Sequence, residues 1–239
     1  MANLEKYRDM TFSDWCREPW PAVLELIYQN SATDWSDRYT PGSPLGLDFN
    51  FATFLAFDVT KNYKHFFDTT RKKSDLCLFA VSESTDERRR RPPEVTRRQI
   101  VHTLKTALFR NIKMKPCQYL WTIGDYKFVI SPEGNGLDCH RHYEALVSKC
   151  IPVMEDNPLI RQKYKTLPVL WTTDYSEITP QYLEEKWTEF QHLTFDFRPL
   201  LLSFWSEAEQ VEIKRRGQFW GKQLRQPISV EGHPLQTLQ

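Results

Sequence analysis

Residues 126–154 read YKFVISPEGNGLDCHRHYEALVSKCIPVM, and the order of patterns in them decides the fold class. Tyr126 to Ser131 is an apolar run of strand length. PEGNGLD is rich in residues that interrupt regular structure, Cys139 to Lys149 has the length of a short helix, and Cys150 to Met154 is a second strand-length apolar run. Together they form a β-α-β unit. The helix returns the chain to the end of the sheet where the first strand began, so the two strands run parallel.

The alternation continues outward. Upstream, Leu76 to Ser82 (LCLFAVS) reads as a buried strand, followed by a polar loop with Arg88 to Arg91, Pro92 and Pro93. Glu94 to Phe109 then places Val95, Ile100, Leu104 and Leu108 near helical spacing. Downstream, Leu167 to Thr172 (LPVLWT) is a further strand before the helix Thr179 to Phe190, which opens on a threonine N-cap with proline at its first position. Apolar strands separated by helices imply an α/β fold: a mostly parallel sheet covered on both faces, with ligands beyond the carboxyl ends of the strands. The turn after Ser131 is at such an end.

The flanks are less regular. A helical run is expected near Pro21 to Gln29, and Thr40 to Asp48 is turn-rich. Phe49 to Val59 is apolar and too short for periodicity to choose strand or helix. Arg198 to Gly221 is expected to be helical through Leu201, Phe204, Trp205 and Ala208, with a loose tail over the last dozen residues.

Composition limits the partners. Among 239 residues, 32 Lys plus Arg balance 31 Asp plus Glu, so no global field draws the chain to nucleic acid or membrane, and any anion site must be local. No apolar stretch approaches the roughly 18 residues of a membrane span, and the opening MANLEKYRDMTFSDW has no signal-peptide core. A soluble, cytoplasmic protein is the expectation, with a soluble fragment of a secretory-pathway enzyme as the alternative. The five cysteines include no CxxC pair and are expected to be reduced thiols.

The chemistry concentrates between Ser131 and Glu144. Gly134 and Gly136 permit positive φ and close approach of a ligand to the backbone, with Asn135 between them, and Asp138 is a suitable N-cap. The free N–H groups of the following helix suit a diphosphate. Arg141 and Glu144 are three residues apart and share a helix face. A guanidinium suits phosphate oxygens and a carboxylate suits a ribose diol, while the same pair also reads as an exposed ion pair contributing about 0.3 to 0.5 kcal/mol. Among Arg88 to Arg91, one side chain, taken as Arg88, is expected to face the ligand. Asp48, Asp58, His65 and His140 are candidate general bases, with His140 and Asp48 foremost. No metal site is expected: Asp-x-Asp is absent, and Asp138, His140 and His142 alternate on a helix and cannot converge.

The run from Tyr126 to Met154, followed by LPVLWTTDYSEITPQYLEEKW, resembles the nucleotide-sugar domain of exostosin-like glycosyltransferases over about a third of the chain. The shared elements are a Ser-Pro-x-Gly-like turn, a helix bearing Arg and, three residues on, Glu followed by Ala-Leu, and a Cys-x-Pro-Val strand. Two positions depart: His142-Tyr143 replaces the common Thr-Trp, and Lys149 stands where glycine is common. The resemblance implies a GT-B-like architecture, with a Rossmann-like donor domain over residues 74–205, a reduced acceptor-side region over 1–73 and a C-terminal helix and tail over 206–239. It implies a metal-independent transferase moving sugar from a UDP- or GDP-linked donor to a glycan or other hydroxyl acceptor, with no cofactor. Ser131, Gly134, Asn135, Gly136, Arg88, Arg141 and Glu144 would hold the donor, Glu144 at the ribose and Arg141 at the diphosphate. The alternatives are a nucleic-acid-binding protein using Arg88 to Arg98, or an inactive nucleotide-sugar-binding module.

Overall fold

The computed structural model describes residues 4–19, 25–29, 44–48, 65, 71–90, 93–107 and 109–216. In chain order its strands are β1 (Met10–Thr11), β2 (Tyr28–Gln29), β3 (Leu47–Asp48), β4 (Asp75–Leu78), β5 (Tyr126–Ile130), β6 (Ile151–Glu155), β7 (Leu170–Thr172) and β8 (Thr194–Phe195). The α-helices are α1 (Phe12–Arg17), α2 (Arg97–Thr106), α3 (Pro116–Thr122), α4 (His140–Val147), α5 (Pro158–Lys163), α6 (Pro180–Phe190) and α7 (Glu207–Arg216).

The centre is a four-stranded parallel sheet in the order β4-β5-β6-β7. Phe128, Val129 and Ile130 are each fully buried, as are Ile151 and Val153. Successive strand residues point to opposite faces, so an unbroken buried run means that both faces are covered, as the apolar runs imply. The strand order never reverses among the described residues. The right-handed crossover rule for parallel strands predicts that helices connecting strands in such an unreversed order lie on one face of the sheet. α6 then brings Trp187 edge-on to Phe128 and Phe12, at 6.0 and 5.6 Å between ring centres.

Local chemistry fixes the element ends. Thr96 and Gln99 form a capping box, which starts α2 at Arg97 and not at Glu94. Thr179 caps α6 through the Tyr182 N–H, as the Thr-Pro start implies. Helix α4 starts at His140, and its N-cap is Cys139, not Asp138. Asp138 is turned into the core instead, accepting from Tyr143 Oη (3.0 Å), Tyr164 Oη (2.6 Å), Lys163 Nζ (2.6 Å) and the Leu45 N–H (3.1 Å). Burial opposes its charge, but Lys163 and these donors hold its pKa below the usual carboxylate value.

Helix α4 ends in a Schellman motif. The Lys149 N–H donates to the Leu146 carbonyl (3.0 Å) and the Cys150 N–H to that of Ala145 (2.9 Å), with Lys149 left-handed at φ 60°. Glycine would take this left-handed conformation at no steric cost. Lys149 accepts the conformation and uses its buried ammonium on the carbonyls of Cys16 and Glu18, where the chain leaves α1.

The amino-terminal segments pack into the same core. β1 pairs antiparallel with β8, and Trp15 stacks on Phe197 at 4.0 Å. β2 and β3 are parallel, so the end of the expected helix near Pro21 to Gln29 is a strand. Gly46 has φ 73°, and a Cβ there would lie 2.3 Å from the Ile27 carbonyl oxygen. The expected helix from Arg198 is instead two short 3-10 turns, Arg198–Leu200 and Leu202–Phe204, before α7. Leu201 and Leu202 are both buried whereas Phe204 is 38% exposed, a pattern one helical face cannot produce. Residues 49–59 and the carboxyl-terminal tail lie outside the described residues.

Candidate functional site

A cleft of about 720 Å³ opens beyond the carboxyl end of β4. One wall is the chain from Ala80 to Ser84, a second is residues 111–114 with Pro116 and Tyr119 of α3, and the third is Arg141 and Glu144 of α4. Asn111 fixes the rim: its amide accepts from the Val81 N–H and donates to the Val81 carbonyl, both at 2.9 Å, as a neighbouring strand would. The Ile112 N–H continues the pairing to the Phe79 carbonyl at 2.8 Å.

Arg141 and Glu144 therefore meet where their spacing on one helix face implies. Arg141 donates to the Ala80 carbonyl, and its Cζ lies 5.1 Å from the centre of the Tyr119 ring. These contacts are neutral, so they hold the guanidinium without cancelling its charge. The cleft also presents Lys113 and a second carboxylate, Glu83, which pairs with Lys105 at 3.5 Å.

The glycine turn is built differently. Its carbonyls, not its N–H groups, do most of the bonding: Arg97 donates to Pro132 (2.8 Å) and Glu133 (2.7 Å), and Arg89 to Gly134 (3.1 Å). The Gly134 N–H is taken by the Gly136 carbonyl (3.0 Å) and the Glu133 N–H by Glu155 (2.9 Å). Arg89 and Arg90 both reach Glu133 Oε2 at 2.7 Å, and Arg90 also holds Glu155 at 2.7 Å. Neither Gly134 nor Gly136 has positive φ. Gly134 is needed for closeness: a Cβ there would come within 2.9 Å of Arg97 Nη2. The turn is a clasp closed by the protein's own arginines, and Asn135 is half-buried within it.

Other expected site residues go elsewhere. Arg88 is exposed, and its neighbours Arg89 and Arg90 make the inward contacts. Ser131 donates its hydroxyl to His142 Nδ1 at 2.7 Å, because His142 Nε2–H donates to the Leu137 carbonyl at 3.3 Å. Both side chains are fully buried, and burial lowers the His142 pKa to about 4. His140 Nδ1 bonds to the Gly46 carbonyl at 2.9 Å, on the side of α4 that meets β3, and is not part of the cleft wall. Asp48 ends β3, and its side chain and the whole of Asp58 lie outside the described residues. His65 stacks on Trp121 at 3.5 Å and bonds to its carbonyl at 2.7 Å.

Tyr119 is a site residue the sequence reading passes over. The usable signal was Pro116 at a helix start followed by Tyr119, Leu120 and Ile123, which form one buried face. Among the described residues no group of three or more His, Cys, Asp or Glu is arranged around a metal, and no helix is long and apolar enough to cross a membrane. No protein-family model matches the chain, and no curated protein matches it in sequence.

Proposed function

We propose that the cleft binds a nucleotide sugar and that the protein is an exostosin-like, GT-B-type glycosyltransferase acting without a metal. The observation that carries this reading is the meeting of Arg141 and Glu144 on one wall of a cleft beyond a parallel strand's carboxyl end. The Glu144 carboxylate accepts from the two ribose hydroxyls, and the Arg141 guanidinium binds the diphosphate. With the glycine turn filled by Arg89, Arg90 and Arg97, the diphosphate belongs against Arg141 and not in the turn.

Transfer breaks the bond between the anomeric carbon and the β-phosphate oxygen, and negative charge grows on that oxygen as the acceptor hydroxyl bonds to the carbon. A fixed guanidinium there lowers the barrier because the developing anion finds its counter-charge already oriented. The acceptor's proton passes to a base as the new bond forms. The rival use of the arginine loop for nucleic acid is disfavoured, since Arg89, Arg90 and Arg97 already hold carboxylates and carbonyls.

Calorimetric titration with UDP, GDP and their common sugar conjugates tests the reading. One nucleotide should bind at micromolar strength, and Glu144→Ala should weaken it about 10- to 100-fold, the equivalent of a charged hydrogen bond to ligand. Binding of a nucleotide that Glu144→Ala leaves unchanged would remove the site assignment. Binding without sugar turnover would identify an inactive module.

A further inference from the structure

The donor reading assigns tasks to Arg141 and Glu144 but does not say what holds two opposite charges in register on one wall. Tyr119 stands across from both. It is 8% exposed and lines the same cleft. Its ring lies 5.1 Å from Arg141 Cζ, close enough for the π face to attract the guanidinium, whose other anchor is the Ala80 carbonyl. Its hydroxyl is buried and has no hydrogen-bond partner, a condition that is unfavourable until something satisfies it. The Glu144 carboxylate is near enough to be felt. Burial first, then the Glu144 charge and, more weakly, a side-chain hydrogen-bonding contribution from Glu144 push the phenol well above its ordinary pKa, although the two groups stop short of a hydrogen bond of normal geometry.

We infer that Tyr119 is the positioning residue of the cleft: its ring fixes Arg141, and its buried hydroxyl donates to Glu144 once that carboxylate engages a ribose diol. The inference rests on the nucleotide-sugar reading and extends it to a side chain on α3. A carboxylate has about four lone-pair directions, so it accepts from two ribose hydroxyls and from a phenol together. Ligand binding then removes the unsatisfied hydroxyl, and one side chain tunes recognition of both the diphosphate and the sugar ring of the nucleotide.

The test is calorimetric titration of the wild type, Tyr119→Phe and Tyr119→Leu with UDP, uridine and 2′-deoxy-UDP, or the guanine set where the wild type prefers GDP. Tyr119→Phe keeps the ring, so the preference for UDP over uridine should stay as in the wild type. Its preference for UDP over 2′-deoxy-UDP should fall about fivefold, the worth of one hydrogen bond. Tyr119→Leu should lose that discrimination and also lower the UDP-over-uridine ratio about three- to fivefold, as the guanidinium loses its platform. A loss of folded protein lowers all affinities alike and leaves both ratios unmoved. Ratios equal to wild type in both variants would overturn the inference while leaving the donor reading standing. A wild type that binds no nucleotide would overturn the donor reading itself. If Tyr119→Leu does not fold, Tyr119→Phe decides alone, and unchanged ribose discrimination in it counts against the inference.

Discussion

Two arginine-bearing regions, the glycine-turn clasp and the cleft, each take one side from the chain that follows β5, yet their charges are balanced in different ways. In the clasp, Arg89 and Arg90 meet Glu133, and Arg90 also meets Glu155. In the cleft, Arg141 rests on a carbonyl and an aromatic ring. A cation matched by carboxylates has its charge consumed inside the fold, whereas one held by neutral groups keeps it for a ligand. The glycine-rich turn with Arg89 and Arg90 thus serves structure, whereas Arg141 keeps its charge on the wall where the nucleotide is proposed to bind.

The sharpest way to break this comparison is to remove one arginine from each region. Arg90 is 7% exposed, and although burial opposes its charge, Glu155 and Glu133 outweigh that and raise its pKa. Arg90→Met leaves Glu155 without its cation and Glu133 with Arg89 alone, which should destabilise the protein by about 3 kcal/mol in urea unfolding. Arg141→Met should change stability by less than about 1 kcal/mol while abolishing tight nucleotide binding. Equal losses of stability in the two variants would mean that the regions do not differ in kind.

Lys149 sharpens the rule from a third direction, because its ammonium is held by carbonyls but it is buried and does not line the cleft. Burial is the main cause that lowers its pKa from 10.5 to about 8. Between those values the unfolded chain binds more protons than the folded one, so the penalty of burying the charge is complete below pH 8 and fades as pH rises toward 10.5. Wild type should therefore gain about 2 kcal/mol relative to Lys149→Met between pH 7 and pH 10, read from paired urea melts. The comparison must be paired. Burial raises the Cys16 and Cys139 thiols to about 11, and they act with the opposite sign above pH 9 in both proteins. A pH-independent difference would show that Lys149 titrates alike in the folded and unfolded chains, so that burial does not lower its pKa.

The β-α-β core was legible because its signals are local: uninterrupted apolar runs for β5 and β6, and Thr179-Pro180 for the start of α6. The Arg141 and Glu144 pairing was legible for the same reason, since a helix sets neighbours three residues apart by its own geometry. Asp138 was misread as a cap because its partners Leu45, Lys163 and Tyr164 are brought to it only by tertiary packing. Within the arginine run, the choice of Arg89 and Arg90 over Arg88 depends on the turn from Ser84 to Asp86, where the N–H groups of Arg89 and Arg90 both bond to the Asp86 carbonyl. No spacing rule encodes that. The segment from Arg198 has helical apolar spacing, but Leu201 bridges to Leu26 and draws the chain into 3-10 turns.

The smallest expected effect separates the two regions most cleanly. Gly134→Ala puts a methyl group within 2.9 Å of Arg97 Nη2, at the end of a side chain held to the Pro132 and Glu133 carbonyls. The guanidinium must shift by a few tenths of an ångström, lengthening those bonds, and a loss of about 1 kcal/mol is expected from such overpacking. Nucleotide affinity should not change, because the cleft wall does not include Gly134. If the turn cradled the diphosphate, the same methyl group would intrude on the ligand and the affinity would fall with the stability. A urea melt and a UDP titration on this one variant therefore decide which of the two regions receives the phosphates.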